Sequence, residues 1–326
     1  MTTHAEPLDS VLDTVGRTPM VRIQASPDEV PVYAKVESFN PGASVKDRIG
    51  KYMLERMLER GEISEDGTVV EPTAGNTGIG LAIAAPQLGL DAVFVVPERF
   101  SVEKQTLMSA LGAEIINTPT EEGMGLAIER AHEIADELGN AVVPQQFSNP
   151  LNTEAHYETT GPEIYEALDG EVGAVVMGCG TAGTLMGVAR YAREQDPDTY
   201  VAAVEPEGSM YREFLSESVE EEEYKIEGIG THDPATNELF EPELVDDVIA
   251  VTDRAAHDEL KRLARGEGHL VASSAGAASF AARQVAQRIR DGDIDAPHDT
   301  VVTLLPDSSE RYLSKGIYGD FEQWEG

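Results

Sequence analysis

Apolar positions along the chain change period repeatedly, and the changes map out strands and helices. Short apolar runs at residues 21–23, 31–36, 68–70, 92–97, 114–116, 174–177, 200–204 and 301–305 read as strands. Between them the spacing turns helical. After Lys46 come Ile49, Met53, Leu54, Met57 and Leu58, with Gly61 as a stop. Further helices are predicted over 79–88, 101–111, 125–138, 153–168, 185–194, 255–265 and 275–290. Continuous apolar strands alternating with helices predict two doubly wound, three-layer α/β/α domains with mostly parallel sheets. The polar, irregular stretch 145–150 marks the passage between them, and 216–224 reads as a solvated acidic run.

Composition narrows the class. The 326 residues are 41% apolar, enough for large cores, and the formal net charge is −36. The acids are spread along the whole length and only seven residues are lysine, which implies an acidic surface suited to a salt-rich cytoplasm. No basic stripe is present, which argues against nucleic acid and anionic membrane as partners. The first residues hold no apolar targeting core, and no run reaches membrane-spanning length. Lone Cys179 cannot form an internal disulfide and suits a reducing, cytoplasmic setting.

Three loops could carry chemistry. In Asn40–Ile49 a Pro-Gly turn runs into a helix start, where Ser44 and Asp47 have capping-box spacing. Lys46 then stands at the helix end that disfavours a cation, which would lower its pKa towards that of an amine nucleophile. A solvated lysine beginning a surface helix is the plainer reading. Gly178–Thr184 lies between a strand and a helix, and its backbone N–H groups with two threonine hydroxyls suit one phosphate. The same residues match G-x-G-x-x-G, and Glu205 follows at the distance of a ribose-binding acid, so a nicotinamide dehydrogenase is a rival. A tight turn without ligand is a third reading. Thr73–Gly78, at another helix start, offers hydroxyls and backbone donors without a cation and suits a carboxylate, or is simply a glycine-rich turn.

Neither glycine loop ends as a P-loop does, and the seven histidines show no metal spacing. His156 reads as a helix packing or hydrogen-bonding residue, and Cys179 as a small apolar filler. A capped lysine, a one-phosphate cup, a carboxylate loop and a serine after the last strand together describe a pyridoxal phosphate enzyme acting on an amino acid.

The stretch Asn40-Pro41-Gly42-Ala43-Ser44-Val45-Lys46-Asp47-Arg48 resembles the Schiff-base lysine motif of the cysteine synthase/cystathionine β-synthase family, fold type II of the pyridoxal phosphate enzymes. Gly16–Pro19, Glu71–Gly80, Gly180–Thr184 and Leu305–Ser314 match in the same order, so the resemblance runs from about residue 10 to 318. It implies a larger cofactor-binding domain of residues 1–41 and 153–326, with a smaller mobile domain of 42–152. Lys46 would be the catalytic Schiff-base lysine, and Asn76 would contact the cofactor's ring hydroxyl. Gly180, Thr181, Ala182, Gly183 and Thr184 would bind phosphate, and Ser308 would face the pyridine nitrogen. Thr73, Ala74, Gly75, Thr77 and Gln146 would hold the substrate carboxylate, with Gly228 near the entering substrate. Two residues depart from the family pattern: Ala74 stands where many relatives have serine, and Ala182 replaces a common glycine.

The implied reaction is β-replacement on an activated L-serine. Lys46 acts as general base, acetate leaves if the substrate is O-acetylserine, and a sulfur nucleophile adds. Sulfide as nucleophile gives cysteine synthase, the favoured expectation. Homocysteine gives cystathionine β-synthase, to whose O-acetylserine-using branch Ala74 and Pro306–Tyr312 look similar. The resemblance also implies a homodimer, and with the chain ending soon after Tyr318 no regulatory nucleotide module is expected.

Overall fold

The structure is a computed structural model that describes residues 7–215, 219–233 and 237–325. Ser216–Ser218, the start of the acidic run, lie outside the described residues. In chain order the regular elements are β1 (Met20–Ile23), β2 (Val32–Val36), α1 (Lys46–Glu59), β3 (Thr68–Pro72), α2 (Asn76–Gln87), β4 (Asp91–Pro97), α3 (Val102–Ala110), β5 (Glu114–Thr118), α4 (Gly123–Leu138) and β6 (Ala141–Val142). They continue with α5 (Leu151–Ala155), α6 (Gly161–Ala167), β7 (Ala174–Gly178), α7 (Gly183–Gln195), β8 (Tyr200–Pro206), β9 (Asp247–Val251), α8 (Asp253–Arg262), α9 (Ser273–Arg290) and β10 (Val301–Leu305). Single π turns at His156–Thr160 and Leu263–Glu267 interrupt the helices expected over 153–168 and 255–265. Strands β6 and β9 had no counterpart among the expected elements.

The chain forms two compact units. One contains the segment ending at Arg17 together with Phe39–Gln145, and the other contains Thr18–Ser38 with the segment from Gln146 onward. The expected larger domain took in all of residues 1–41, whereas here the first described residues belong with the smaller unit. The reason is visible in their bonds: Lys51 Nζ donates to the Leu12 carbonyl (3.1 Å), Ser10 Oγ donates to Gln87 Oε1 (3.1 Å), and Gly16 N–H donates to Asn40 Oδ1 (2.8 Å).

In the smaller unit a four-stranded parallel sheet has the order β5-β4-β3-β6. Val70, Val93 and Val95 pack on Ala127, Ala131 and Ile134 of α4. Buried on both faces, such strands are apolar without alternation, which is why they read so clearly in the sequence. The larger unit has a six-stranded sheet, β1-β2-β10-β7-β8-β9, parallel except for the β1–β2 pair. Its core joins Val32, Ala34, Val176, Val204 and Val301 to the alanine-rich face of α9, where Ala277, Ala281, Ala282 and Ala286 are buried. Small side chains let a long helix lie close to a twisted sheet. In both sheets the parallel strands deliver their loops to one edge, where ligands of open α/β sheets bind.

The scarce lysines are committed to this framework. Lys35 is buried and bonds both Glu163 (2.8 Å) and the Thr18 carbonyl (2.8 Å). Lys225 and Lys261 donate to the carbonyls of Trp324 (2.7 Å) and Gly319 (2.8 Å), and Lys315 pairs with Glu227 (2.7 Å). No helix among the described residues is long and apolar enough to cross a membrane.

The C-terminal segment is held by an aromatic clasp. Trp324 stacks on His257 (centroids 5.4 Å, 16°), and Phe321 meets the same imidazole edge-on (5.5 Å, 70°). His257 is buried, and among the described residues neither ring nitrogen has a hydrogen-bond partner. Burial holds its pKa below the usual histidine value, with Lys261 and Arg254 acting in the same direction against Asp258 and Glu322. At a pH between the folded and unfolded pKa values the unfolded chain takes up a proton that the clasp refuses. The clasp therefore keeps its full stability above pH ~6.5 and loses it on acidification below that value. Trp324 is the sole tryptophan, so its emission should shift towards that of exposed indole as pH falls, and His257→Phe should abolish the shift. An identical acid response in both proteins would refute this account.

Candidate active site

The smaller unit holds a lysine and a loop. Asn40 organises the turn before α1: its amide donates to the Ser44 carbonyl (3.1 Å), and its backbone carbonyl accepts from Ala43 N–H (2.8 Å). Ala43 takes a positive φ of 54° in that turn. Lys46 is the first residue of α1 and is half-buried. The expected capping box is absent. Ser44 Oγ does accept from Lys46 N–H (3.2 Å), but the carboxylate of Asp47 turns back and accepts from Gly42 N–H instead. Asp47 thus closes the Pro-Gly turn and does not cap the helix, because the sharp turn brings Gly42 within its reach.

Thr73, Ala74 and Gly75 follow β3, and Asn76 and Thr77 begin α2. The cap position, Gly75, makes no side-chain cap bond, and its N–H donates to Thr73 Oγ1 (3.3 Å). Nothing lies within 4 Å of where a Gly75 side chain would be. A helix start without a side-chain cap, in front of open space and flanked by two hydroxyls, has the donors that an anion requires.

Helices α1 and α2 fix the lysine relative to this loop. They cross at Gly50 and Gly80, where a Cβ on Gly50 would collide with the Gly80 carbonyl group. A Cβ on Gly80 would stand 2.5 Å from the Lys46 carbonyl oxygen and 3.1 Å from Asp47 N. The backbone that carries Lys46 is therefore in direct contact with the first turns of α2.

The larger unit holds the glycine-rich cup by itself. Strand β7 ends at Gly178, and α7 begins at Gly183 with no side-chain cap bond. Ala182 adopts the left-handed conformation (φ 65°), a strain of about 1 kcal/mol that a glycine would not bear. That kink beside an uncapped helix start makes a concave nest of N–H groups. Gly180 has no room for a side chain, since a Cβ would collide with the Gly228 carbonyl. The loop carrying Gly228 is exposed there, has φ 82°, and is tied down where Gly230 N–H donates to the Cys179 carbonyl (2.7 Å). Beneath the cup, Tyr211 Oη (2.5 Å) and Asn237 Nδ2 (2.8 Å) both donate to the Gly180 carbonyl. Cys179 is buried and forms no disulfide.

Strand β10 runs parallel to β7, with Val301 opposite Ala174, so Ser308 emerges at the same sheet edge as the cup. Ser308 is half-buried and bridges to Val271. Gln146, also half-buried, is joined to the cup through Asn152, whose amide donates to the Gln146 carbonyl (2.7 Å) and to Thr181 Oγ1 (3.0 Å). Within the smaller unit, Lys46, Thr73, Ala74, Gly75, Asn76 and Thr77 thus share one framework. Within the larger, residues 180–184, Gln146, Gly228 and Ser308 share another. Asn152 was not among the expected site residues, although Asn152 and His156 stand four apart in the sequence and so fall on one face of a helix.

Glu205 does not have the role the dehydrogenase reading gave it. It is fully buried, accepting from Tyr211 N–H (2.7 Å) and pairing with Arg212 Nε (2.8 Å). Burial raises its pKa, against these hydrogen bonds. It anchors a turn and has no face for a ribose. Among the described residues no group of three or more His, Cys, Asp or Glu could hold a metal. The residues fit pyridoxal phosphate: residues 180–184 present donors and no acid, which suits a phosphate ester, and Lys46 supplies an amine for its aldehyde.

The α1–α2 contact yields a direct test. Gly80→Ala gains about 1 kcal/mol of helix propensity but must displace the Lys46 carbonyl, an overpacking cost of about 1–3 kcal/mol. A lowered thermal midpoint is expected, with weaker retention of the cofactor. A midpoint equal to or above that of the unaltered protein would contradict the contact.

Comparison with known proteins agrees with this geometry. Residues 11–307 match the family described as pyridoxal-phosphate dependent enzyme. An O-acetylserine dependent cystathionine β-synthase of Bacillus subtilis is 41% identical over 313 residues, covering 95% of this chain and 98% of that protein. A cysteine synthase of Helicobacter pylori is also 41% identical, over 315 residues, covering 95% and 99% respectively. The crystal structure of an O-acetylserine dependent cystathionine β-synthase from Helicobacter pylori superposes with a TM-score of 0.85 at 41% identity, covering 96% of this chain and all of that one. Matched over nearly its whole length, the chain belongs to the pyridoxal-phosphate dependent enzymes.

Proposed function

We propose that the protein catalyses β-replacement on O-acetyl-L-serine with sulfide, giving L-cysteine and acetate. The observation that carries this reading is the pairing of Lys46 with an uncapped, cation-free helix start at Thr73–Thr77 in one rigid framework. It provides an amine on the same framework as a set of N–H and hydroxyl donors suited to an amino-acid carboxylate. When bound, pyridoxal phosphate supplies the electron sink that acidifies the substrate Cα proton and lets the β-substituent leave.

The chain's own residues do the rest. Lys46 removes the Cα proton as general base and later returns it. Thr73, Ala74, Gly75 and Thr77, with Gln146, hold the substrate carboxylate, and Asn76 contacts the cofactor's ring hydroxyl. Residues 180–184 hold its phosphate, and Gly228 borders the path of the entering substrate. Ser308 faces the pyridine nitrogen with a neutral hydroxyl. A neutral partner does not enforce a protonated ring, and the weaker sink favours elimination of the β-group over transamination. Closure of the 73–77 loop on the carboxylate would keep water from the reacting centre.

A second reading has a specific observation behind it: one of the relatives at 41% identity is an O-acetylserine dependent cystathionine β-synthase, so homocysteine is the alternative acceptor. A homodimer in a salt-rich, reducing cytoplasm completes the proposal. It is supported by the family resemblance, the dispersed acids behind the −36 charge and the lone Cys179.

Purified protein given O-acetylserine, O-phosphoserine or serine, each with sulfide or homocysteine in molar KCl, should turn over O-acetylserine with sulfide fastest. No turnover with any pair would defeat the β-replacement reading. Lys46→Ala should abolish turnover and lose the pyridoxyl label that borohydride reduction fixes on the chain, and a variant still labelled at full yield would remove Lys46 from its role. Because the Debye length falls to about 3 Å at 1 M salt, the thermal midpoint should rise steadily from ~0.1 M to molar KCl. A midpoint indifferent to salt would count against a salt-rich setting.

A further inference from the structure

Behind the cup lies a line of hydrogen bonds that phosphate binding does not by itself require. His156 opens the π turn between α5 and α6 and is fully buried. Its Nδ1 lies 2.8 Å from Thr160 Oγ1, and its Nε2 lies 3.1 Å from Thr184 Oγ1 in the first turn of α7. Thr160 is itself fully buried. The two helical segments are pressed together here: a Cβ on Gly187 would stand 2.6 Å from His156 Cβ and 2.8 Å from Tyr157 N. The π turn widens the helix at the position where the imidazole must bridge two hydroxyls, a common use of such turns at functional sites.

A neutral imidazole donates from one nitrogen and accepts at the other, so this line has two possible directions with opposite consequences for the cup. If Thr184 donates to Nε2, its lone pairs face the ligand. If Nε2–H donates to Thr184, the threonine proton is left for the ligand. A fully ionised phosphate monoester has only acceptors and requires the second arrangement.

We propose that His156 is a positioning residue that sets the polarity of the phosphate cup, with Thr160 donating to Nδ1, Nε2–H donating to Thr184 Oγ1, and Thr184 donating to a phosphate monoester dianion. The proposal rests on the reading of residues 180–184 as the cofactor's phosphate site. It makes the histidine a tautomer lock that neither donates a proton to substrate nor touches the cofactor.

Nitrogen-15 NMR of the cofactor-loaded, unaltered protein should show His156 neutral with its proton on Nε2. Cofactor dissociation provides the second readout. His156→Leu should weaken retention of pyridoxal phosphate about tenfold, the scale of one hydrogen bond to a charged group. His156→Gln, which keeps a donor towards Thr184, should restore most of it. In a Thr184→Val background, His156→Leu should add almost nothing, since the bond it serves is already gone. A proton on Nδ1, or equal weakening by Leu and Gln, would overturn the proposal while leaving the cofactor reading intact. A protein that binds no pyridoxal phosphate, even though inorganic phosphate still occupies the cup of the unaltered chain, would overturn both.

Discussion

The smaller unit depends on a contact between two backbones. Helices α1 and α2 approach so closely at Gly50 and Gly80 that neither position can carry a methyl group without displacing a peptide. Side chains have rotamers and can adapt, whereas peptide groups in helices cannot. The consequence is a lysine whose main chain is fixed against the helix that begins at Asn76. Precision at the site then follows from packing that lies entirely behind it.

The larger unit reaches the same end by other means. Its cup is made of glycines too crowded for side chains and one strained alanine, all braced from below. Tyr211 and Asn237 hold the Gly180 carbonyl, while Asn152 and His156 reach the two threonines. Asn152 is packed tightly beneath the cup, where a Cβ on Gly183 would collide with its side-chain oxygen. The strained φ at Ala182 keeps backbone donors turned outward.

Much of this was legible in the sequence because the signal was local. Buried parallel strands are runs of apolar residues, and Lys46, Gly61 and the glycine loops announce helix ends directly. What was missed depended on distant partners. Strand β9 begins with acids, and its neighbours explain them: Asp246 accepts from Val201 N–H and pairs with Arg193, while Asp247 meets Tyr200 and Arg288. The capping box failed because Asp47 had a better donor across a turn whose closure the spacing alone did not reveal. The two π turns are shifts of backbone register and leave no compositional mark. Glu205 sat at the right distance from a glycine fingerprint for a reason unrelated to ribose, and only its burial distinguishes the two.

The lysines carry a consequence of a different kind. The chain uses ammonium groups as internal fasteners, tying carbonyls at Leu12, Thr18, Trp324 and Gly319 and carboxylates at Glu163 and Glu227. Its surface cations are mostly arginines, which do not condense with aldehydes. Pyridoxal phosphate is an aldehyde, and any accessible amine competes for it. On this surface the reagent meets few rivals, so selective attachment at one lysine is helped by the scarcity of the others as well as by the shape of the site.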